Sequence, residues 1–305
     1  QERKNATTLL YGLSLMLLSA FLFSLMSLLV NVLPYPTEQL LLSRFSVQSI
    51  ASLVHLKLLR LDRPFGNRQP RRMLLLFLRG AFGTAGMFCF FTILSDGRFH
   101  LPLSAASCLI FTNPILVAIL ARLLMKEQYG FADAAAAGAC MTGVLLIARP
   151  WSAEDDTDIS PSRRGFATLI GLMGALFAAM ALVTIRFIGN KEHSVTVVFW
   201  FGFVGLFASG IACAVRRSFE IPSALGAVGL LGLGIGGYSG QLSMGRGLQL
   251  VAAGPASTLR YADIVFGAIY QATLLGEPIS PWTAAGAVLI TSCVLKYPLA
   301  AWRER

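Results

Sequence analysis

The stretch PASTLRYADIVFGAIYQATLLGE, residues 255–277, decides how this chain is read. It has about the 20 mostly apolar residues that an α-helix needs to cross a bilayer. Yet it carries Arg260 and Asp263. An ionised side chain near mid-bilayer costs about 2.5–3.5 kcal/mol on insertion scales, so it persists where water, a counter-ion or a solute meets it. Arg260, Asp263, Gly267, Tyr270 and Gln271 recur at helical spacing and share one polar stripe on an apolar helix. Arg260 and Asp263 stand at i and i+3, where they can pair and neutralise each other. The other reading has Arg260 attracting a solute anion while Asp263 tunes it or takes a coupling proton.

The same pattern occurs 150 residues earlier. Ser107, Ala118 and Glu127 stand opposite Ser257, Ala268 and Glu277, Asn113 stands opposite Asp263, and upstream Gly86 and Phe88 match Gly236 and Tyr238. Working outward, ten apolar segments qualify as spans: 9–33, 37–57, 72–94, 102–125, 131–149, 165–188, 194–215, 224–247, 255–275 and 281–300. The first is too long for the core of a signal peptide. Only the connection from Pro150 to Arg164 is long, and it carries Glu154, Asp155, Asp156 and Asp158. It divides the chain into repeats at 1–150 and 165–305. Each half has five helices, an odd number, so the two copies cross in opposite senses. The expected fold is an all-α membrane protein of ten transmembrane helices in two inverted five-helix repeats. Such repeats build alternating-access carriers with the solute site near the midplane.

With the N-terminus inside, fifteen Lys and Arg fall on the inner side and six on the outer. That asymmetry puts both termini in the cytoplasm. A plasma or bacterial inner membrane is expected over an organelle. The chain is 55% hydrophobic and only 13% charged, against about 25% charged in soluble domains. Its net charge of +10 sits in connections rather than in a stripe interleaved with aromatics, which argues against nucleic acid. Cys89, Cys108, Cys140, Cys213 and Cys293 lie in apolar runs without a C-x-x-C pair, so neither a disulfide framework nor a metal site is indicated, and no cofactor is expected. Gly232 to Gly237 satisfies G-x-G-x-x-G, but no strand precedes it, so glycine packing is the reading there. Gly237-Tyr238-Ser239-Gly240 matches the G-x-S-G of rhomboid proteases. His55, His100 and His193 lie at helix ends or in loops, where none can serve as its base. The chain is not expected to be an enzyme.

Two five-helix halves, each with an Ala-rich fourth helix closing on Glu (Lys126-Glu127, Gly276-Glu277-Pro278), resemble the drug/metabolite transporter superfamily and its EamA-type repeats. Phe77-Leu78-Arg79-Gly80, Leu248-Gln249, Ala253-Gly254-Pro255 and Asp263-Ile264-Val265-Phe266 look similar to the G branch of the eukaryotic solute carrier family 35. The Asn- and Lys-containing signatures of nucleotide-sugar carriers are not evident. The resemblance implies a central cavity lined by helices 1, 3, 4, 6, 8 and 9, and exchange or export of small metabolites.

The candidate solute-binding residues are Arg260, Arg246, Asp263, Tyr238, Gln241, Arg79, Asn113, Tyr270 and Gln271. Arg246 ends helix 8 and is expected to add a second cation beside Arg260; a guanidinium presents a planar fork suited to carboxylate or phosphate. Tyr238 and Gln241 share a face of helix 8 and offer hydrogen bonds to a solute, or else simply pack. Arg79 either lines the cavity or snorkels to the basic inner loop. Arg44, with Gln48 one turn on, reads as snorkelling or structurally paired rather than as a ligand. Asn113-Pro114 frees a backbone carbonyl and invites a kink. The function expected is secondary, non-ATP transport of small polar metabolites, chiefly organic anions such as carboxylates or phosphate esters, with a proton or counter-substrate as possible coupling partner. The alternative is an amino-acid or drug exporter of the bacterial EamA type.

Overall fold

Every predicted apolar segment is helical over most of its length in the computed structural model, which describes residues 2–61, 65, 69–95, 108–126, 130–149, 161–274, 276 and 279–303. No strand occurs among these residues. The helices are α1 (Glu2–Val32), α2 (Thr37–Leu58), α3 (Pro70–Ser95), α4 (Asn113–Met125), α5 (Phe131–Ala148), α6 (Pro161–Ile188), α7 (Ser194–Arg216), α8 (Ala224–Leu250), α9 (Ala253–Leu259), α10 (Ala262–Leu274) and α11 (Pro281–Arg303). Most of the acidic connection, and Ser107, Glu127 and Glu277 of the repeat, lie outside the described residues.

Among the described residues, seven helices are long and apolar enough to cross a membrane: Ala6–Val30, Pro70–Phe90, Cys108–Met125, Phe131–Ala148, Gly165–Lys191, Ser194–Arg216 and Pro281–Leu299. The protein is a multi-pass integral membrane protein. Its outward face is apolar, as lipid requires. Phe207, Ile211 and Val215 on α7 and Leu225, Val228, Leu231 and Ile235 on α8 are exposed at helical spacing. The other three predicted spans are helical but polar or broken. Helix α2 buries Arg44 and Gln48, α8 buries Gln241 and Gln249, and the segment 255–275 divides between α9 and α10.

That division is a departure from the single helix read in the sequence. Around Arg260 the backbone bonds tighten from i→i−4 to i→i−3: Arg260 N donates to Ser257 O (3.2 Å), Tyr261 N to Thr258 O (3.1 Å) and Asp263 N to Arg260 O (3.0 Å). The preceding repeat bends at the same register. Pro114 has no N–H to give the turn before it, and Thr112 N and Ile115 N bond to Leu109 O (3.3 Å) and Thr112 O (3.1 Å). Phe111 O is thereby released, and the Tyr261 hydroxyl donates to it at 3.0 Å. Ser257 Oγ donates to Pro114 O at 3.2 Å, so the two bends are fastened to each other.

Helix ends show the expected chemistry. Ser223 Oγ caps α8 by accepting from Gly226 N (3.1 Å), and His193 Nδ1 caps α7 by accepting from Val195 N (3.3 Å). Helices α4, α5 and α7 stop at Lys126, Arg149 and Arg217 in left-handed conformations, with φ of 56°, 46° and 50°. Each places a cation at the negative end of a helix dipole.

The pairings run α1 with α8, α3 with α6, α2 with α7, and α5 with α11, supplemented by α2 with α8, α3 with α7, α1 with α10 and α4 with α6. Close approach at α5–α11 requires glycine on both sides. A Cβ added at Gly286 would lie 2.6 Å from the Gly143 carbonyl oxygen.

Candidate functional site

Three consecutive positions on one face of α8, Gly237, Gln241 and Met244, each receive an arginine from a different helix. They are spaced i, i+4 and i+7, so they align along the helix. Arg79 of α3 donates from Nη2 to Gln241 Oε1 at 2.9 Å and lies 4.4 Å over the ring of Phe201. Arg260, at the link between α9 and α10, contacts Met244 Sδ through Nη1 at 3.0 Å and lies 5.6 Å over Phe23. Arg44 of α2 lies across Gly237, where an added Cβ would come within 2.8 Å of its Nε. Its Nη1 reaches Met87 Sδ at 3.4 Å.

These environments satisfy few of the five N–H donors on each guanidinium. Thioether sulfur is a weak acceptor, and an aromatic face supplies attraction without a hydrogen bond. Nε and Nη1 of Arg79 and Nε of Arg44 are buried with no hydrogen-bond partner. Among the described residues no carboxylate lies within ion-pair distance of Arg44, Arg79 or Arg260. Arg44 and Arg260 lie near enough to repel Arg79, and Asp263 near enough to attract Arg260. Asp263 stands in the first turn of α10 and is half-buried. The i, i+3 ion pair considered for Arg260 and Asp263 is not among the ion pairs of the described residues; the backbone between the two is a tight turn rather than a continuous α-helix. Buried donors left open are costly.

The remaining candidates have other contacts. Asn113 Nδ2 donates to Ala175 O at 3.3 Å while its Oδ1 is buried without a partner. Tyr270 packs edge-on to Phe21 with centroids 5.7 Å apart, and its buried hydroxyl has no partner. The Tyr238 hydroxyl and His55 Nδ1 share a hydrogen bond of 2.6 Å between α8 and α2. The backbone of Gln271 is in α10, and its side chain lies outside what the structure describes. Arg246 points elsewhere. Its Nη1 donates to Asn190 Oδ1 (3.1 Å) and Gln249 Oε1 (3.3 Å), in a polar cluster near the end of α8 where Gln249 Nε2 also donates to Glu192 O (3.0 Å). Arg79 does not snorkel: it is 3% exposed. Arg44, at 4%, does not snorkel either, and it is the residue of the cluster that sequence reasoning set aside. Gly237, one turn before Gln241, was the available sign that α8 had room for it.

The model described as the EamA-like transporter family matches residues 10–149 and 165–295. The chain is 27% identical to human solute carrier family 35 member G1 over 311 residues, covering 100% of this chain and 83% of the relative. It is 30% identical over 288 residues to the pseudopaline exporter CntI of Pseudomonas aeruginosa (strain UCBPP-PA14), covering 93% of this chain and 94% of that one. A solved crystal structure shares the fold at a TM-score of 0.81 and 17% identity, covering 96% of this chain and 98% of the other.

Proposed function

The chain belongs to the EamA-like transporter family, and from that premise we propose that it is a secondary transporter of small organic anions, working by alternating access between two inverted halves. The halves are 1–150 and 165–305, with ten spans in all. The helix pairings support this. Replacing each helix by its counterpart in the other half turns α1–α8 into α3–α6, α2–α8 into α3–α7, and α1–α10 into α4–α6, and returns α2–α7 and α5–α11 to themselves. Each half has an odd number of spans, so a relation of this kind inverts one half against the other. The three helical segments that fall short of an apolar span carry Arg44, Gln241 and Arg260. The polarity that weakens their membrane signal is that of the site.

The observation that carries the anion assignment is the guanidinium group of Arg79, buried among apolar groups with two of its nitrogens unpartnered. A carboxylate or phosphate ester accepts from such a fork in bidentate fashion. We assign solute contact to Arg79, Arg260 and Gln241, and charge tuning or proton uptake to Asp263. Asn113 and Tyr270 line the approach, with Tyr238 at mid-helix and Arg246 nearer the inner end. Transport needs no cofactor. The relatives are named as transporters, which agrees with a non-enzymatic role. Both termini face the cytoplasm, and the membrane is the plasma or a bacterial inner membrane.

A second reading, an exporter of amino acids or drugs, draws on Phe23, Phe201, Met87 and Met244 around the arginines, and on a relative whose name is that of an exporter. Thermal-shift screening of the purified protein against a metabolite panel, followed by counterflow on the hits, separates the two. The anion reading expects hits among carboxylates and phosphate esters that Arg79→Gln loses. Hits confined to cationic or neutral amphiphiles, unaffected by that substitution, would support the exporter.

A further inference from the structure

We propose that Arg44 is a third anion-binding residue and that it makes the site selective for solutes carrying two negative charges over one; this rests on the transport reading above. A structural arginine in a spanning helix pairs with a carboxylate or reaches the membrane surface. Arg44 does neither. It is 4% exposed, no described carboxylate is within ion-pair distance, its Nε is buried without a partner, and its one hydrogen bond among the described residues goes to the sulfur of Met87. It is also given room. At Gly237 a Cβ would stand 2.8 Å from Nε, 3.2 Å from Cγ and 3.3 Å from Cδ, so a glycine at that position forms the trough in which the side chain lies.

The arrangement of the three cations sets the solute's charge and length. Gly237, Gln241 and Met244 span about 10 Å at 1.5 Å rise per residue, so Arg44, Arg79 and Arg260 are arrayed along roughly that length. Among the described residues none of the three has a carboxylate within ion-pair distance, and Asp263, in the turn after Arg260, can offset at most one of their charges. At least two positive charges therefore remain uncompensated. A singly charged solute leaves one buried cation unpaired, whereas a dianion with an acidic group near each end meets both.

The test is uptake into proteoliposomes of succinate and adipate, each beside its singly charged monomethyl ester. The wild-type protein is expected to take each dianion about tenfold better than its ester or more, the difference one charge-assisted hydrogen bond makes. Arg44→Gln is expected to bring that ratio near one while ester uptake continues, and Arg44→Lys to keep most of it. Gly237→Ala displaces the Arg44 head without removing its charge and should lower the ratio in a protein that folds normally. If the wild type takes ester and dianion equally, or Arg44→Gln and Gly237→Ala lose both in parallel, the inference is overturned and anion transport stands. If the wild type takes no anion of either charge, the transport reading itself fails and carries the inference with it.

Discussion

Buried guanidinium groups whose donors end on sulfur or aromatic rings trade stability for use. Arg44 and Arg79 differ in what a substitution would strand. Methionine in place of Arg44 removes a desolvated charge and leaves no polar group newly unpartnered, since Met87 is its only hydrogen-bonding contact among the described residues. The expected outcome is a Tm in detergent higher by about 2 °C or more, together with impaired transport. Methionine at Arg79 orphans the carbonyl of Gln241, costing about 1–3 kcal/mol against the same relief, so its Tm should fall below that of Arg44→Met. The reverse order would mean that Arg44 is a structural cation. At this scale Arg79, Arg260 and Gln241 were legible, because a charge or amide inside an apolar run is conspicuous. Arg44 was equally conspicuous but was judged by its distance from a helix end, whereas its burial depends on a glycine of another helix. Arg246 was placed beside Arg260 because helices 8 and 9 adjoin. At 100° per residue it turns about 200° from Met244, towards Asn190 and Gln249 instead.

Among the elements, the bend at Arg260-Tyr261 was the least legible. No proline or glycine marks it; the Tyr261 hydroxyl and Ser257 Oγ, bonded to the bend of the opposite repeat, hold it in place. Asn113-Pro114 did announce its counterpart. Tyr261→Phe should cost about 1–3 kcal/mol by stranding the Phe111 carbonyl and loosen both bends; chemical denaturation reads the cost, and a loss under about 0.5 kcal/mol would contradict it. The cap of α7 gives a pH dependence. Burial, with Arg246 and His55 nearby, holds the His193 imidazole below its ordinary value of 6.5. Its folded form binds protons less readily than its unfolded form, so its contribution is fully present above about pH 6.5. That contribution is lost as the pH falls from there through the lowered folded value. Once protonated, Nδ1 no longer accepts from Val195 N. His193 is largely exposed, so solvent screening holds the loss expected between pH 7.5 and 5.5 to the low end of a cap's worth, about 0.5 kcal/mol. His193→Asn should retain the cap and flatten the Tm profile across that range, and a profile as steep as the wild type's would refute the assignment.

For the molecule as a whole, the all-helical character and the places of the apolar segments along the chain were legible from hydropathy. Which helix packs on which was not, since lipid-facing and core-facing positions are equally apolar. The inverted arrangement predicts sidedness: single cysteines at Lys57 and Arg217, both exposed, should react with an impermeant maleimide from opposite sides of sealed right-side-out vesicles, Arg217→Cys from outside and Lys57→Cys only after permeabilisation. Labelling from one side would reject the topology. The central claim is that the arginine cluster on α8 holds the transported anion. Its most direct test is counterflow of the best anionic hit by Arg260→Ala in proteoliposomes. The account predicts a rate at least about tenfold below wild type, with the Tm of the detergent-solubilised protein within a few degrees of wild type; wild-type counterflow by a well-folded Arg260→Ala protein would contradict it.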